Sequence, residues 1–143
     1  MTILQELTEY CEDRIDGREI ACEKEIQACE RFLRDVEKQG SEKFPYIWKE
    51  EEAEKIVDWF SYLRHSKGVL EKQPIVLNTW QKLNLCNIYG WYHKETGYRR
   101  FRKAFIEVAR KNAKSQMMAG VALYEISAFG VNASEAFCLG TKM

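Results

Sequence analysis

A basic turn between two apolar stretches carries the residues best suited to chemistry in this chain. Residues 108–115 read VARKNAKS, and the final Lys-Ser coincides with the end of the phosphate-binding template G-x-x-x-x-G-K-[ST]. In that template the lysine reaches the terminal phosphates of a nucleotide, and the hydroxyl binds Mg²⁺. Lys114 is therefore a candidate phosphate ligand, and Ser115 is the candidate metal-contacting residue.

Both glycines of the template are missing, because Val108 and Ala113 stand in their places. Glycine is used where φ is positive or where the backbone must touch the ligand. The methyl group of Ala113 is tolerable if its φ is negative and costly if its φ is positive. From the template alone, a chance match is the better explanation. The interpretation therefore depends on the elements that flank the turn.

The other residues of the turn extend the candidate site. Backbone N–H groups of a strand-to-helix turn point at a bound anion, and the helix dipole favours negative charge there. Arg110 is the catalytic candidate, placed to stabilise charge on a transferred phosphoryl group. Asn112 is expected to tighten the turn by bonding its own backbone. The predicted cofactor-binding set in this turn consists of Arg110, Lys111, Asn112, Ala113, Lys114 and Ser115.

The segments around the turn predict a β-α-β unit. Residues 101–109 are nearly continuously apolar with β-branched and aromatic members, as in a strand buried on both faces. Residues 114–130 are apolar almost all round, which predicts a helix covered on most sides. Residues 135–140 predict a second short strand. Such a unit usually closes right-handed in a parallel sheet. Because two strands do not make a stable parallel sheet, we expect a truncated chain.

The first half of the chain predicts helices. Apolar residues share one face over residues 19–38 and again over residues 47–68, and Asn78 or Thr79 can cap a third, shorter helix. The predicted fold class is thus α/β, with a helical N-terminal half followed by the first β-α-β unit of a P-loop NTPase sheet. The predicted domains are residues 1–70, which are helical, and residues 71–143, which begin an ATPase domain.

Charge is unevenly distributed although the net charge of the 143 residues is zero. Residues 1–60 hold 17 acids and 9 bases, whereas residues 94–114 hold eight bases and two acids. A basic segment of this kind attracts phosphates, either from a nucleotide or from a nucleic acid. Two interpretations stay open for Arg99, Arg100 and Arg102, namely a solvent-facing DNA contact independent of sequence or a solvated strand edge.

Cysteine, histidine and hydropathy patterns limit the other functional classes. Five cysteines at irregular spacing argue against both a disulfide framework and a zinc site. Two isolated histidines favour packing or surface roles, so we predict no metal site built from protein ligands alone. No apolar run reaches the length of a membrane span, and the N-terminus lacks an export signal pattern. We therefore expect a soluble, unexported protein without a membrane partner.

The loop and its alanine-rich helix resemble the variant phosphate loop of the large terminase subunit of tailed bacteriophages. Members of that family are ATP-driven motors that package DNA, and their phosphate loop commonly has the sequence R-K-N-G-K-S. Three further stretches resemble it in the same order, at residues 28–38, 60–82 and 97–115. Four ordered matches are stronger evidence than one motif.

The resemblance implies several properties. Gln81 would recognise adenine, and Arg110, Lys114 and Ser115 would bind the phosphates and Mg²⁺ of ATP. Implied partners are double-stranded phage DNA, the portal and the small terminase subunit, with a homo-oligomeric ring in the full-length protein. The implied location is the cytoplasm of the bacterial host. The Mg²⁺-binding acid, the water-activating glutamate and the nuclease domain would all lie outside this sequence. We therefore expect negligible ATP hydrolysis by this chain, and its status as an enzyme stays open.

Two alternatives remain. The first is a helicase-like ATPase fragment, which would also place a glutamine upstream of a phosphate loop. The second is a non-enzymatic helical module that docks on packaging or capsid proteins through its acidic first half. In that alternative the aromatic residues around Trp59 would form a docking face. Otherwise those aromatics are core, as apolar stripes at helical spacing usually are.

Overall fold

The computed structural model describes residues 1–66 and 68–140, which divide into two compact units. The first unit is Met1–Ala104, and the second runs from Phe105 onward. The predicted domain boundary at residue 70 therefore falls inside the first unit. The phosphate-loop segment, by contrast, belongs wholly to the second.

The first unit contains four helices and two short strands. In chain order they are α1 (Ile3–Ile15), α2 (Glu23–Lys38), β1 (Tyr46–Trp48), α3 (Glu50–Tyr62), α4 (Thr79–Gly90) and β2 (Trp91–His93). The predicted helices are confirmed with shorter bounds. Ile47 and Trp48 lie in β1, and α3 begins at Glu50. Three acids in its first turn, Glu50 to Glu52, favour a helix start there because they complement the positive end of the helix dipole.

The core of the first unit forms where helices cross. Helix α1 packs on α2, α3 and α4, and α3 packs on α4. Large side chains from the four helices and from β2 are fully buried there, among them Leu7, Phe32, Ile56, Phe60, Leu85 and Trp91. Burying such a side chain contributes roughly 1.5–3 kcal/mol relative to leaving it exposed. The apolar stripes of the sequence are therefore mainly core.

Strands β1 and β2 pair antiparallel and bring aromatic rings together. Trp48 lies opposite Trp91 in the register, and Phe32 of α2 meets both rings edge to face. Gly90 is required at the end of α4, because a Cβ there would lie 2.8 Å from the Trp48 ring. This antiparallel pair, whose strands are separated in the chain by α3 and α4, is the sheet of the described residues, and it has two strands.

The second unit departs from the predicted β-α-β arrangement. Its helix α5 (Lys114–Ser127) is present, but within the described residues neither 101–109 nor 135–140 belongs to a strand. An apolar extended segment becomes a strand only when a partner pairs with its backbone, and none of the described residues does so here. The mixed helix and strand content agrees with an α/β class, whereas the β-α-β unit is not confirmed.

The expected cover over most of α5 is likewise absent from the second unit as described. Met117, Gly120 and Tyr124 are buried, whereas Leu123 is 47% exposed and Ile126 is 49% exposed. Packing therefore covers one face of the helix. The sequence of α5 is apolar on nearly all sides, but the described residues cover only one of these sides.

No helix among residues 1–66 and 68–140 has both the length and the apolar character required to cross a membrane.

Candidate nucleotide-binding site

The turn before α5 adopts left-handed backbone conformations at two residues. Lys111 has φ 68° and Ala113 has φ 55°. Left-handed residues beside right-handed ones can curve a chain into a nest whose N–H groups bind an anion. The sequence pattern did not predict the left-handed Lys111. The φ of Ala113 is therefore positive, which is the costly alternative for a residue with a methyl side chain. A left-handed alanine costs roughly 1–2 kcal/mol.

Helix α5 begins directly after this turn. Ala113 is its N-cap residue, and no described side chain forms a capping hydrogen bond there. The first N–H groups of a helix have no acceptor within the helix itself. They also carry the positive end of the helix dipole, so an anion placed before Lys114 is favoured.

Asn112 closes the turn from within. Its Nδ2 donates to the carbonyl oxygen of Ala109 at 3.0 Å and to that of Arg110 at 3.5 Å. The predicted role of Asn112 in tightening the turn is therefore confirmed. These bonds hold residues 109–112 in a closed loop without the glycines of the template.

The turn lines an open cavity of its own. The cavity has a volume of about 430 Å³ and is lined by residues 108–116. This volume lies within the range of small-molecule sites. Arg110, Lys111, Lys114 and Ser115 are all exposed, and the lining sequence VARKNAKSQ contains no acid. The arrangement combines three cationic side chains, a hydroxyl and the first N–H groups of α5, which together suit a polyphosphate.

Ser115 is the residue of this turn that suits Mg²⁺. Magnesium usually keeps several waters and takes a small number of protein oxygens beside substrate phosphates, and one exposed hydroxyl next to a phosphate cradle fits that pattern. Among the described residues, no group of three or more His, Cys, Asp or Glu side chains converges as a metal site. A bound magnesium ion would neutralise phosphate charge and draw the phosphate oxygens together.

Gln81 belongs to the first unit, at the third position of α4. Its Oε1 accepts a hydrogen bond from the backbone N–H of Asn78 at 2.9 Å, and the residue is 5% exposed. The predicted cap at Asn78 is thereby confirmed, since Asn78 is the N-cap residue of α4. The sequence did not reveal that the glutamine side chain takes part in this cap.

Arg100 corrects one expectation about the basic segment. Its Nη1 lies 2.6 Å from Oδ2 of Asp35, and its side chain is 18% exposed. The guanidinium also lies 4.5 Å from the ring centroids of both Phe44 and Phe101. A solvent-facing DNA contact is therefore wrong for Arg100, because an ion pair and aromatic faces surround it. Arg99 lies over the Tyr89 ring at 4.8 Å, whereas Arg102 is exposed.

The structure thus brings together the six predicted residues of the turn, from Arg110 to Ser115, around one cavity. Gln81 is placed in the first unit, within a capping hydrogen bond. The periodicity of the sequence carried no signal for the Arg100–Asp35 pair, because its partners are 65 residues apart.

Comparison with known proteins supports the resemblance. Residues 79–143 match the family described as the terminase large subunit, ATPase domain. No curated protein and no solved structure matches the chain. The matched range contains both Gln81 and the whole basic turn, and the stretches before Thr79 lie outside it. Residues 79–143 are therefore similar to the ATPase domain of the terminase large subunit.

Proposed function

We propose that residues 110–115 are a phosphate cradle that binds ATP with Mg²⁺. The single observation that supports this most strongly is the left-handed pair Lys111 and Ala113, directly before α5. An alanine holds this conformation at an energetic cost, and strained backbone tends to be retained at functional sites. The similarity of residues 79–143 to a family of ATPase domains suggests ATP as the ligand.

Each residue of the cradle has a distinct role in the proposal. Inward N–H groups of the turn bind phosphate oxygens. Lys114 adds a charge-assisted contact to the terminal phosphates, and Ser115 contributes its hydroxyl to Mg²⁺. Arg110 stabilises negative charge on the terminal phosphoryl group. In the first unit, Gln81 contacts the adenine.

On the scale of the whole protein, we propose that the chain contributes ATP binding to a terminase motor that packages double-stranded DNA. The portal, the small terminase subunit and further copies of the large subunit are the proposed partners. The exposed Arg102 is the proposed DNA contact of the basic segment, since Arg100 is occupied by Asp35. The bacterial cytoplasm is the proposed place of action. We propose that the chain binds ATP without hydrolysing it.

Titration with a fluorescent ATP analogue and Mg²⁺ tests the cradle. Lys114→Ala removes the proposed phosphate contact, and Lys103→Ala removes another exposed lysine, which lies outside the turn. Because a hydrogen bond to a charged group contributes roughly 1.5–3 kcal/mol, Lys114→Ala should weaken binding by roughly ten- to a hundredfold.

Lys103→Ala should bind like the wild type. Equal affinity in the wild type and Lys114→Ala would refute the proposed cradle. Equal weakening by both substitutions would show that only the overall basic charge attracts the nucleotide.

A further inference from the structure

The connection from α3 to α4 forms a hairpin, described over residues 63–66 and 68–75. The N–H of His65 donates to the carbonyl oxygen of Gln73 at 3.0 Å, and the carbonyl oxygen of His65 accepts from the N–H of Lys72 at 2.8 Å. These backbone bonds join the two arms of the hairpin. A connection without regular strands therefore has a defined shape.

The tip of the hairpin exposes apolar side chains between basic ones. Val69 is 100% exposed and Leu70 is 49% exposed. Arg64 and Lys72, one on each arm, are exposed as well, and the sequence of residues 63–75 holds three bases and one acid. A fully exposed valine adds no hydrophobic stabilisation to its own unit, so its burial against a partner is still to be gained. The hairpin thus presents an apolar tip flanked by positive charge.

An open groove along α1 offers apolar surface of the same first unit. Its volume is about 710 Å³, within the range of ligand-sized sites. Leu4 of α1 and Val36 of α2 are its aliphatic lining residues, and both are half-buried. The groove therefore has room and apolar contacts for the side chains of a hairpin tip.

Acidic side chains line the same groove. Glu9, Glu12 and Asp13 contribute carboxylates, and Arg18 is the lining base. Arg18 Nε lies 2.5 Å from Oδ1 of Asp13, and its Nη1 lies 3.1 Å from Oδ2 of Asp16, so two acids already compensate its charge. Glu9 and Glu12 are exposed and take part in no ion pair within the part of the chain that the structure describes. The groove therefore presents negative charge to an incoming cation.

We propose that the hairpin of one copy docks in the α1 groove of a second copy of this chain. Charge complementarity selects this occupant, because the same chain carries the basic apolar tip and the acidic apolar groove. The two surfaces differ, so the contact is head-to-tail and each pair keeps one hairpin and one groove free. A contact of this size is weak, and its ion pairs are screened by salt.

This inference rests on the proposed function in one respect, since further copies of the chain are among the proposed partners. It adds the two surfaces that meet. Both lie before residue 79, outside the range that matches the terminase family. The contact needs no nucleotide, so it is measured separately from the phosphate cradle.

Sedimentation velocity of the whole chain without nucleotide, over a range of concentrations, tests the contact. The wild type should sediment faster as concentration rises, and high salt should reduce this effect. Lys72→Glu and Glu12→Lys should each weaken association roughly tenfold or more, because each places like charges together. An equimolar mixture of the two variants should regain association, because each reversed surface then meets an opposite charge. Glu54→Lys, at an exposed position of α3 outside the groove, is the matched control and should associate like the wild type.

Val69→Ser tests the apolar part of the contact. Because Val69 is fully exposed in the single chain, the substitution should leave thermal unfolding unchanged. Association should weaken roughly tenfold, the ratio expected when a buried valine side chain is lost. Circular dichroism verifies that each variant is folded, and Val69→Ser decides the test should a charge variant unfold.

A wild type that stays monomeric at every concentration overturns the proposal. Single variants that associate like the wild type, or a mixture that does not regain association, also overturn it. A monomeric wild type whose affinity for DNA falls in Lys72→Glu would assign the hairpin to nucleic acid instead. Self-association without ATP binding would refute the cradle and leave this contact standing, and ATP binding by a monomer would do the reverse.

Discussion

At the scale of single residues, Ala113 connects the sequence to the site most directly. The lysine and serine of the phosphate template were readable from the sequence, and so was the turn bond of Asn112. The sequence did not predict the sign of φ at Ala113. An alanine in place of the template glycine is compatible with a negative φ or with a strained positive φ. The structure gives φ 55°, so Ala113 adopts a positive φ of the kind that glycine favours.

Ala113→Gly should therefore strengthen the turn. Glycine adopts positive φ without the Cβ clash, so relief of roughly 1 kcal/mol is expected. Thermal unfolding and titration with ATP and Mg²⁺ measure the effect, which corresponds to roughly fivefold tighter binding if the relief appears wholly in the bound state.

The control is Ala119→Gly, inside α5 and exposed. Glycine within a helix costs roughly 0.5–1 kcal/mol, so this variant should be less stable than the wild type. If Ala113→Gly destabilises the protein as Ala119→Gly does, the left-handed conformation at residue 113 is wrong.

At the scale of elements, Glu50 links three parts of the first unit. Its carboxylate accepts from the N–H groups of Ile3 and Leu4 at the start of α1, and from the Trp48 indole at 2.7 Å. It thus provides an acceptor for the first turn of a helix 46 residues away. The sequence predicted helices but not this tertiary cap. The local pattern of residues does not specify which distant side chain will reach the start of a given helix.

Glu50→Gln should destabilise the first unit by roughly 1–2 kcal/mol. The substitution keeps the shape of the side chain but removes the negative charge of the carboxylate. That charge strengthens the hydrogen bonds accepted from two helix N–H groups and complements the helix dipole. Urea unfolding followed by tryptophan fluorescence measures the change. Glu51→Gln, at the exposed neighbour, should leave stability within roughly 0.5 kcal/mol of the wild type. Equal effects at both positions would contradict the tertiary cap.

The strands show why element prediction succeeded only in part. Helix positions followed from apolar periodicity, which is a local property. The sequence of residues 101–109 has the composition of a buried strand, yet strand formation depends on a partner that periodicity does not specify. The predicted β-α-β unit accordingly remains a prediction beyond α5. Arg100 illustrates the same limit, because its pairing with Asp35 lies outside any local pattern.

At the scale of the whole molecule, the cysteines provide a test that covers both units. Cys11, Cys29 and Cys86 are buried, whereas Cys22 and Cys138 are exposed. Burial raises the pKa of the Cys86 thiol to about 12, which keeps it protonated and unreactive at neutral pH. Reaction with a coloured disulfide reagent should therefore show two fast thiols in the native protein and five after denaturation.

The raised pKa of Cys86 also predicts how stability responds to alkali. The folded state keeps the thiol proton at pH values where the unfolded thiol has already ionised. The free energy of unfolding therefore falls as pH rises from the ordinary thiol pKa of 9.0 toward about 12, at up to roughly 1.4 kcal/mol per pH unit from this group. Cys86→Ser, compared at pH 8 and pH 10, should lack this component.

In the reaction with the disulfide reagent, three or more fast thiols in the native protein would contradict the described burial.

The central claim is that the backbone of residues 111–115 cradles phosphate, and amide chemical shifts measure this most directly. Spectra of the ¹⁵N-labelled chain should be recorded with and without ATP and Mg²⁺, and again for Lys114→Ala. We predict the largest shifts at the amides of residues 111–115, with their loss or strong reduction in Lys114→Ala. Large shifts confined to other residues, or identical shifts in the variant, would contradict the account.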